Sequence, residues 1–129
     1  MNILIVDDEQ DVELLFRQRF RKEVRDGEVG LYFAFNGEQA LELLAQSGET
    51  GLVLVLSDIN MPGMDGLELL RRTKSKFPSM KVFMITAYGD DQNVIRANEY
   101  GADRFITKPL DFDLLKKEIH TQFREIQEQ

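Results

Sequence analysis

Five short apolar runs punctuate the chain at regular intervals. Ile3-Leu4-Ile5-Val6, Leu52-Val53-Leu54-Val55-Leu56, Val82-Phe83-Met84-Ile85 and Phe105-Ile106-Thr107 are continuous, and another run ends near Phe35. Unbroken apolar stretches of this length suit strands buried on both faces of a parallel sheet. The strand ends fall at Asp8, Phe35, Asp58, Thr86 and Lys108, spaced by 27, 23, 28 and 22 residues. That rhythm gives one strand and one helix per unit, hence five βα units. The intervening segments carry helical stripes: Val12, Leu15, Phe16, Phe20 and Val24 in the first, and Ala40, Leu43 and Leu44 in the second, with Leu41 beside them. Leu67, Leu70 and Phe77 mark the third, Val94, Ala97 and Tyr100 the fourth, and Phe112, Leu115, Ile119 and Ile126 the last. Asn36-Gly37, Ser47-Gly48, Pro62-Gly63, Asp65-Gly66, Gly89-Asp90 and Gly101 separate the elements. Asp65 and Asp111 read as N-caps and Gly101 as a helix stop. Alternating strands and helices imply a parallel sheet covered on both faces with right-handed crossovers.

The length of 129 residues suits one domain spanning 1–129. The last helix, over 112–129, is longer than one sheet edge requires. It is either an ordinary amphipathic helix or the start of a linker toward an output domain. There is no cysteine, which excludes disulfides and thiolate metal sites. No stretch is long and apolar enough for a membrane span and no signal-peptide pattern precedes the first strand, so a cytoplasmic protein without a membrane partner is expected. The net charge of −7 weighs against direct nucleic-acid binding. The basic stretches Arg17-Gln18-Arg19-Phe20-Arg21-Lys22 and Arg71-Arg72-Thr73-Lys74 are expected to form solvated faces.

The chemistry concentrates where strands end. Asp7 and Asp8 follow the first run, Asp58 follows the third, Thr86 ends the fourth and Lys108 follows the fifth. The carboxyl edge of a parallel sheet is where open α/β folds place their ligands. Three acids, a hydroxyl and an amine converging there suggest phosphoryl transfer with a hard divalent cation, Mg²⁺ or Mn²⁺, on oxygen ligands. A carboxylate oxygen of Asp58 would attack phosphorus. Lys108 and Thr86 would meet the phosphoryl oxygens.

These positions resemble the receiver domain of bacterial two-component response regulators. The resemblance rests on Asp7-Asp8, on Asp58-Ile59-Asn60-Met61-Pro62-Gly63-Met64-Asp65-Gly66, on Thr86-Ala87 and on Lys108-Pro109, in family order over nearly the whole chain. It implies a flavodoxin-like, doubly wound sheet of order 2-1-3-4-5 with five helices. It implies that Asp58 accepts a phosphoryl group from a phosphohistidine of a sensor histidine kinase or phosphotransfer protein. Asp8, Asp58 and the main-chain carbonyl of Asn60 would bind the metal directly, and Asp7 through water. Ala87 N–H and Thr86 would bind the phosphoryl group, and Lys108 would pair with it. Thr86 and Phe105 would form the switch, although Phe105 also reads as an ordinary core aromatic. The face of the fourth helix, fifth strand and fifth helix would meet an output domain or partner, and a homodimer on phosphorylation is compatible with this. A cis Lys108-Pro109 peptide is also implied.

Other positions stay open. Tyr88 would either shield Asp58 from water or lie on the surface. Glu9 reads as a helix N-terminal acid or an outer-shell group. His120 reads as a surface residue. The rival class is a haloacid-dehalogenase-like phosphatase, but Asn60 stands where its acid/base aspartate would be, and an amide shuttles no proton in that way. A pure interaction module is the third reading, and the intact acid set argues against it. The domain is expected to be a switch rather than an enzyme with an external substrate.

Overall fold

The computed structural model describes residues 1–128, with the side chains of 123 and 125–128 outside the description. Five strands form one parallel sheet: β1 (Asn2–Val6), β2 (Gly30–Ala34), β3 (Leu52–Asp58), β4 (Lys81–Thr86) and β5 (Arg104–Thr107). Their order is β2-β1-β3-β4-β5, the expected doubly wound arrangement. β3 lies at the centre and is buried along almost its whole length, which explains its unbroken apolar run.

Seven helical segments surround the sheet where five were expected. The first expected helix is split into α1 (Asp11–Arg19) and α2 (Arg21–Arg25), and the second into α3 (Gly37–Ala45) and α4 (Ser47–Thr50). α5 (Gly66–Lys76), α6 (Asp91–Glu99) and α7 (Phe112–Glu128) are single segments. The first break falls at Phe20, which leaves helical geometry with φ −103° and ψ 14°. Phe20 stays buried, stacked on Phe16 with Phe112 at its edge. The break corrects the expected stripe: Val24 is 44% exposed, and Leu15 also faces solvent. Tyr100, the residue that follows α6, is partly exposed too. The expected heptad position Ile126 lies outside the described side chains, whereas Gln122, an apparent interruption of the stripe, is buried.

The strands alternate their side chains between two cores. Leu4, Val55, Val82 and Met84 pack with α3, α5 and α6 through Ala40, Leu44, Leu69, Leu70 and Ala97. Ile3, Ile5, Leu54, Leu56, Phe83 and Ile85 pack with α1 and α7 through Phe16, Phe20, Leu115 and Ile119. Phe105 is half-buried against the first core, on the same sheet face as Thr86.

Side-chain caps set the starts of α3, α5 and α7. Asn36 accepts from Gln39 N–H at 2.8 Å while Gln39 Oε1 accepts from Phe35 N–H at 2.9 Å, a reciprocal cap on α3. Asp65 Oδ1 accepts from Glu68 N–H at 2.9 Å to start α5, and Asp111 Oδ1 accepts from Leu114 N–H at 3.1 Å to start α7. Gly101 follows α6 with φ +92°, the left-handed geometry expected of a stop. The Lys108-Pro109 peptide is cis.

At the amino edge of the sheet, Asp103 Oδ2 accepts from Lys74 Nζ and from Val82 N–H, both at 2.8 Å. Lys74 Nζ also donates to the Met80 carbonyl at 2.8 Å. Lys74 is therefore not part of a solvated basic face, as the sequence suggested. Its ammonium ties α5 to the starts of β4 and β5.

At the other edge, Gly66 N–H donates to the Ile59 carbonyl at 2.8 Å. A Cβ at Gly66 would lie 2.2 Å from the Asp58 carbonyl oxygen and 2.6 Å from Ile59 Cα. Backbone atoms cannot swing aside as side chains do, so β3 or α5 would have to move. We expect Gly66→Ala to destabilise the fold by roughly 1–3 kcal/mol, measured by urea denaturation.

Candidate functional site

The carboxyl ends of β1, β3, β4 and β5 meet at one edge of the sheet. Asp7 follows β1, Asp58 is the last residue of β3, Thr86 is the last of β4 and Lys108 follows β5. The pairing of Asp58 with Ile85 and of Thr86 with Thr107 puts these ends level. Two backbone bonds fix the level further. Ile59 N–H donates to the Ile85 carbonyl at 3.1 Å, and Lys108 N–H donates to the Thr86 carbonyl at 2.8 Å.

Asp58 is 5% exposed. Its Oδ2 accepts from Lys108 Nζ at 2.6 Å, and its Oδ1 accepts from Asn60 N–H at 3.0 Å. A buried carboxylate needs such donors, because losing water without replacement is costly. Lys108 responds to the same pairing. Its hydrogen bond to Asp58 holds the ammonium pKa above the ordinary lysine value against partial desolvation, helped by the charges of Asp58, Asp7 and Glu9.

Asp7 is 7% exposed, and its Oδ1 accepts from Glu9 N–H at 2.9 Å. Burial pushes its pKa above the ordinary aspartate value, and the charges of Asp58 and Asp8 push the same way. The Glu9 amide and Lys108 oppose this without cancelling it. Asp8 is exposed at the rim, near enough for its charge to be felt by Asp7.

The structure thus brings Asp7, Asp58 and Lys108 together, with Asp8 alongside. Thr86 is 2% exposed at the adjoining strand end. Ala87 and Asn60 are exposed in the loops that follow β4 and β3. Tyr88 is 92% exposed and stands in solvent rather than over Asp58. Glu9 is exposed just before α1, with its backbone N–H engaged by Asp7. His120 is exposed on α7, far along the sequence from these strand ends. An open cavity of about 620 Å³ lies against Asp7, Lys108, Ala87 and Tyr88 and continues to Val12, Leu15 and Pro109.

Sequence reading treated Gly66 and Gly37 only as punctuation. Gly66 presses against the Asp58 carbonyl, and a Cβ at Gly37 would lie 2.6 Å from Met64 Sδ. The two glycines let the β3–α5 loop close down on α3. The Asp65-Gly66 and Asn36-Gly37 pairs carry a signal for tight turns but none for what those turns contact.

Three acidic side chains against one ammonium leave the pocket electronegative, and all its free donors are oxygen atoms. This fits a hard divalent cation. Among the described residues no group of three His, Cys, Asp or Glu side chains is arranged as a metal cage.

A family model for the response regulator receiver domain matches residues 3–120. A sporulation initiation phosphotransferase F of Bacillus subtilis is 36% identical over 88% of this chain and 86% of its own length. A cyclic di-GMP phosphodiesterase of Thermotoga maritima is 36% identical over 92% of this chain, which spans 30% of that longer protein. Among solved structures, the signal receiver domain of an HD domain-containing protein from Pseudomonas fluorescens superposes with a TM-score of 0.87 at 28% identity, covering 99% of this chain and 98% of that one. Family match, sheet order and strand-end chemistry agree, and the chain belongs to the response regulator receiver domain family.

Proposed function

We propose that this chain is a phosphorylation-dependent switch in which Asp58 accepts a phosphoryl group from a phosphohistidine of a sensor histidine kinase or phosphotransfer protein. The observation that carries this reading is the buried Asp58 carboxylate bridged to Lys108 Nζ at 2.6 Å beside a second buried acid, Asp7. One carboxylate oxygen of Asp58 attacks phosphorus as the P–N bond to the imidazole breaks. The imidazole leaves with the electron pair and takes a proton from solvent. The product is an acyl phosphate on Asp58.

The remaining groups handle charge. Asp8, Asp58 and the Asn60 carbonyl would hold Mg²⁺ or Mn²⁺, with Asp7 acting through water. The cation supplies Lewis-acid neutralisation of the phosphoryl oxygens. Lys108 exchanges its carboxylate partner for a phosphoryl oxygen. The phosphoryl group adds roughly −1.5 to −2 charges and so recruits further donors. The Thr86 hydroxyl, at the end of β4, and the Ala87 N–H, in the loop after it, would supply them.

Thr86 moving inward leaves room for Phe105, half-buried on the same sheet face. The face of α6, β5 and α7 then changes its affinity for an output domain, a partner or a second copy. Ile95 on α6 is exposed to solvent. Release of the phosphoryl group occurs by attack of water on phosphorus, which regenerates the Asp58 carboxylate. The domain turns over no external substrate on this reading. No described helix is long and apolar enough to cross a membrane, and a cytoplasmic setting is part of the proposal.

Three measurements test the reading. Asp58→Asn should abolish Mg²⁺-dependent labelling by acetyl phosphate, and undiminished labelling would move the acceptor elsewhere. Lys108→Ala should still accept some phosphoryl group but lose the accompanying change at Thr86 and Phe105, read by their amide NMR shifts. A full change in that variant would remove Lys108 from the switch.

Asp7 supplies the third test. Its pKa is raised on folding, so the folded protein binds its proton more tightly than the unfolded chain. Ionised Asp7 therefore opposes folding. Its penalty grows as pH rises from the ordinary aspartate range through the raised folded value, and is complete above that. In metal-free protein, Asp7→Asn should raise the melting midpoint at neutral pH, with the gain vanishing toward acid pH. A pH-independent effect would show that ionisation is not the cause.

A further inference from the structure

A further concave feature lies beside the break at Phe20, away from the strand-end site. α2, the end of α1 and the start of β2 border a groove of about 280 Å³ lined by Arg17, Arg21, Val24, Arg25 and Leu31. Leu31 lies next to Gly30, where β2 begins, so the groove sits toward the amino edge of the sheet. Asp58 lies at the carboxyl edge of β3. An occupant of the groove leaves the Asp58 pocket open.

The groove is unusual for this chain. The whole protein carries −7, yet residues 17–25 hold Arg17, Arg19, Arg21, Lys22 and Arg25 against the single acid Glu23. Glu23 points elsewhere, to Lys116 Nζ at 2.8 Å. Arg17 is preset: Glu13 holds its guanidinium at 2.8 Å, and the plane lies 4.8 Å from the centre of the Phe33 ring. Arg25 meets Asp26 only at 3.4 Å and is largely exposed. Arg21 has no ion pair among the described residues. Val24 and Leu31 supply an aliphatic floor, and Val24 is 44% exposed despite its type.

We propose that this groove receives an acidic peptide segment of a partner protein, seating one apolar side chain between Val24 and Leu31 while flanking carboxylates meet Arg17, Arg21 and Arg25. Guanidinium forks match carboxylates in pairs, and a small apolar floor gives such a contact its anchor. The complementary charge would steer the segment to a cationic region of an anionic molecule. A nucleic acid fits less well, since no aromatic ring lines the groove for base stacking and the remaining surface repels a long polyanion. An anionic membrane meets the same repulsion across its plane.

The probe is a fluorescein-labelled synthetic peptide of glutamate interrupted by leucine, titrated by anisotropy against the full chain. A glutamate-only peptide of equal charge is the comparison. Saturable binding of the leucine peptide should weaken about tenfold or more in the double variant Arg21→Glu, Arg25→Glu, and again as salt is raised. The glutamate-only peptide and the Val24→Ser variant should each show binding weakened by at least about threefold, the scale of a lost apolar contact. If the double variant melts early, Arg21→Gln with Arg25→Gln provides the same reading without charge reversal. The proposal is overturned by absence of saturable binding, by indifference to these substitutions, or by equal binding of the glutamate-only peptide. Tighter binding to a single-stranded oligonucleotide or to phosphatidylglycerol vesicles than to the leucine peptide would overturn it too.

Discussion

A carboxylate at the end of a strand buried on both faces has lost most of its water, and something must replace it. For Asp58 the replacement is the Lys108 ammonium at 2.6 Å, delivered from a strand two places away in the sheet. The contact holds because β5 is pinned to β4 at Lys108 N–H and β4 is pinned to β3 at Ile59 N–H. One ion pair therefore depends on the register of three strands. That register in turn depends on the two cores that clamp the sheet from either side.

The same pairing leaves the pocket with uncompensated negative charge. Lys108 offsets one acid, and Asp7 remains buried with its proton affinity raised. A pocket left electronegative in this way attracts a cation, and a cation makes room for an incoming anion. The backbone contributes as much as the side chains. Gly66 lets α5 begin against the Asp58 carbonyl, and Asn60 offers its N–H to the carboxylate. The pocket and the fold packing thus share the same few atoms.

Much of this was legible in the sequence because it is periodic or terminal. The unbroken runs at Leu52–Leu56 and Val82–Ile85 announce central parallel strands. The residues that close those runs, Asp58 and Thr86, must then stand at one sheet edge. What the sequence concealed is non-periodic. The split at Phe20 depends on aromatic packing with Phe16 and Phe112, residues far apart in the chain. Val24 keeps the helical spacing of its neighbours, yet the split turns it to solvent. Lys74 looked like part of a charged surface and instead serves β4 and β5 through Asp103, 29 residues away. Gln122 appeared to interrupt an apolar stripe, but it is buried. Each of these turns on a contact between distant segments, which local pattern does not encode.

The Lys74–Asp103 tie has a mechanical meaning. Asp103 grips Val82 at the start of β4 and immediately precedes β5, while Thr86 and Lys108 stand at the far ends of those strands. The roots of both strands are held through Asp103, and their tips by the Lys108 and Ile59 N–H bonds and the Lys108–Asp58 pair. Exchange of the Lys108–Asp58 pair for another partner would undo one tie at the tips and leave the tie at the roots in place.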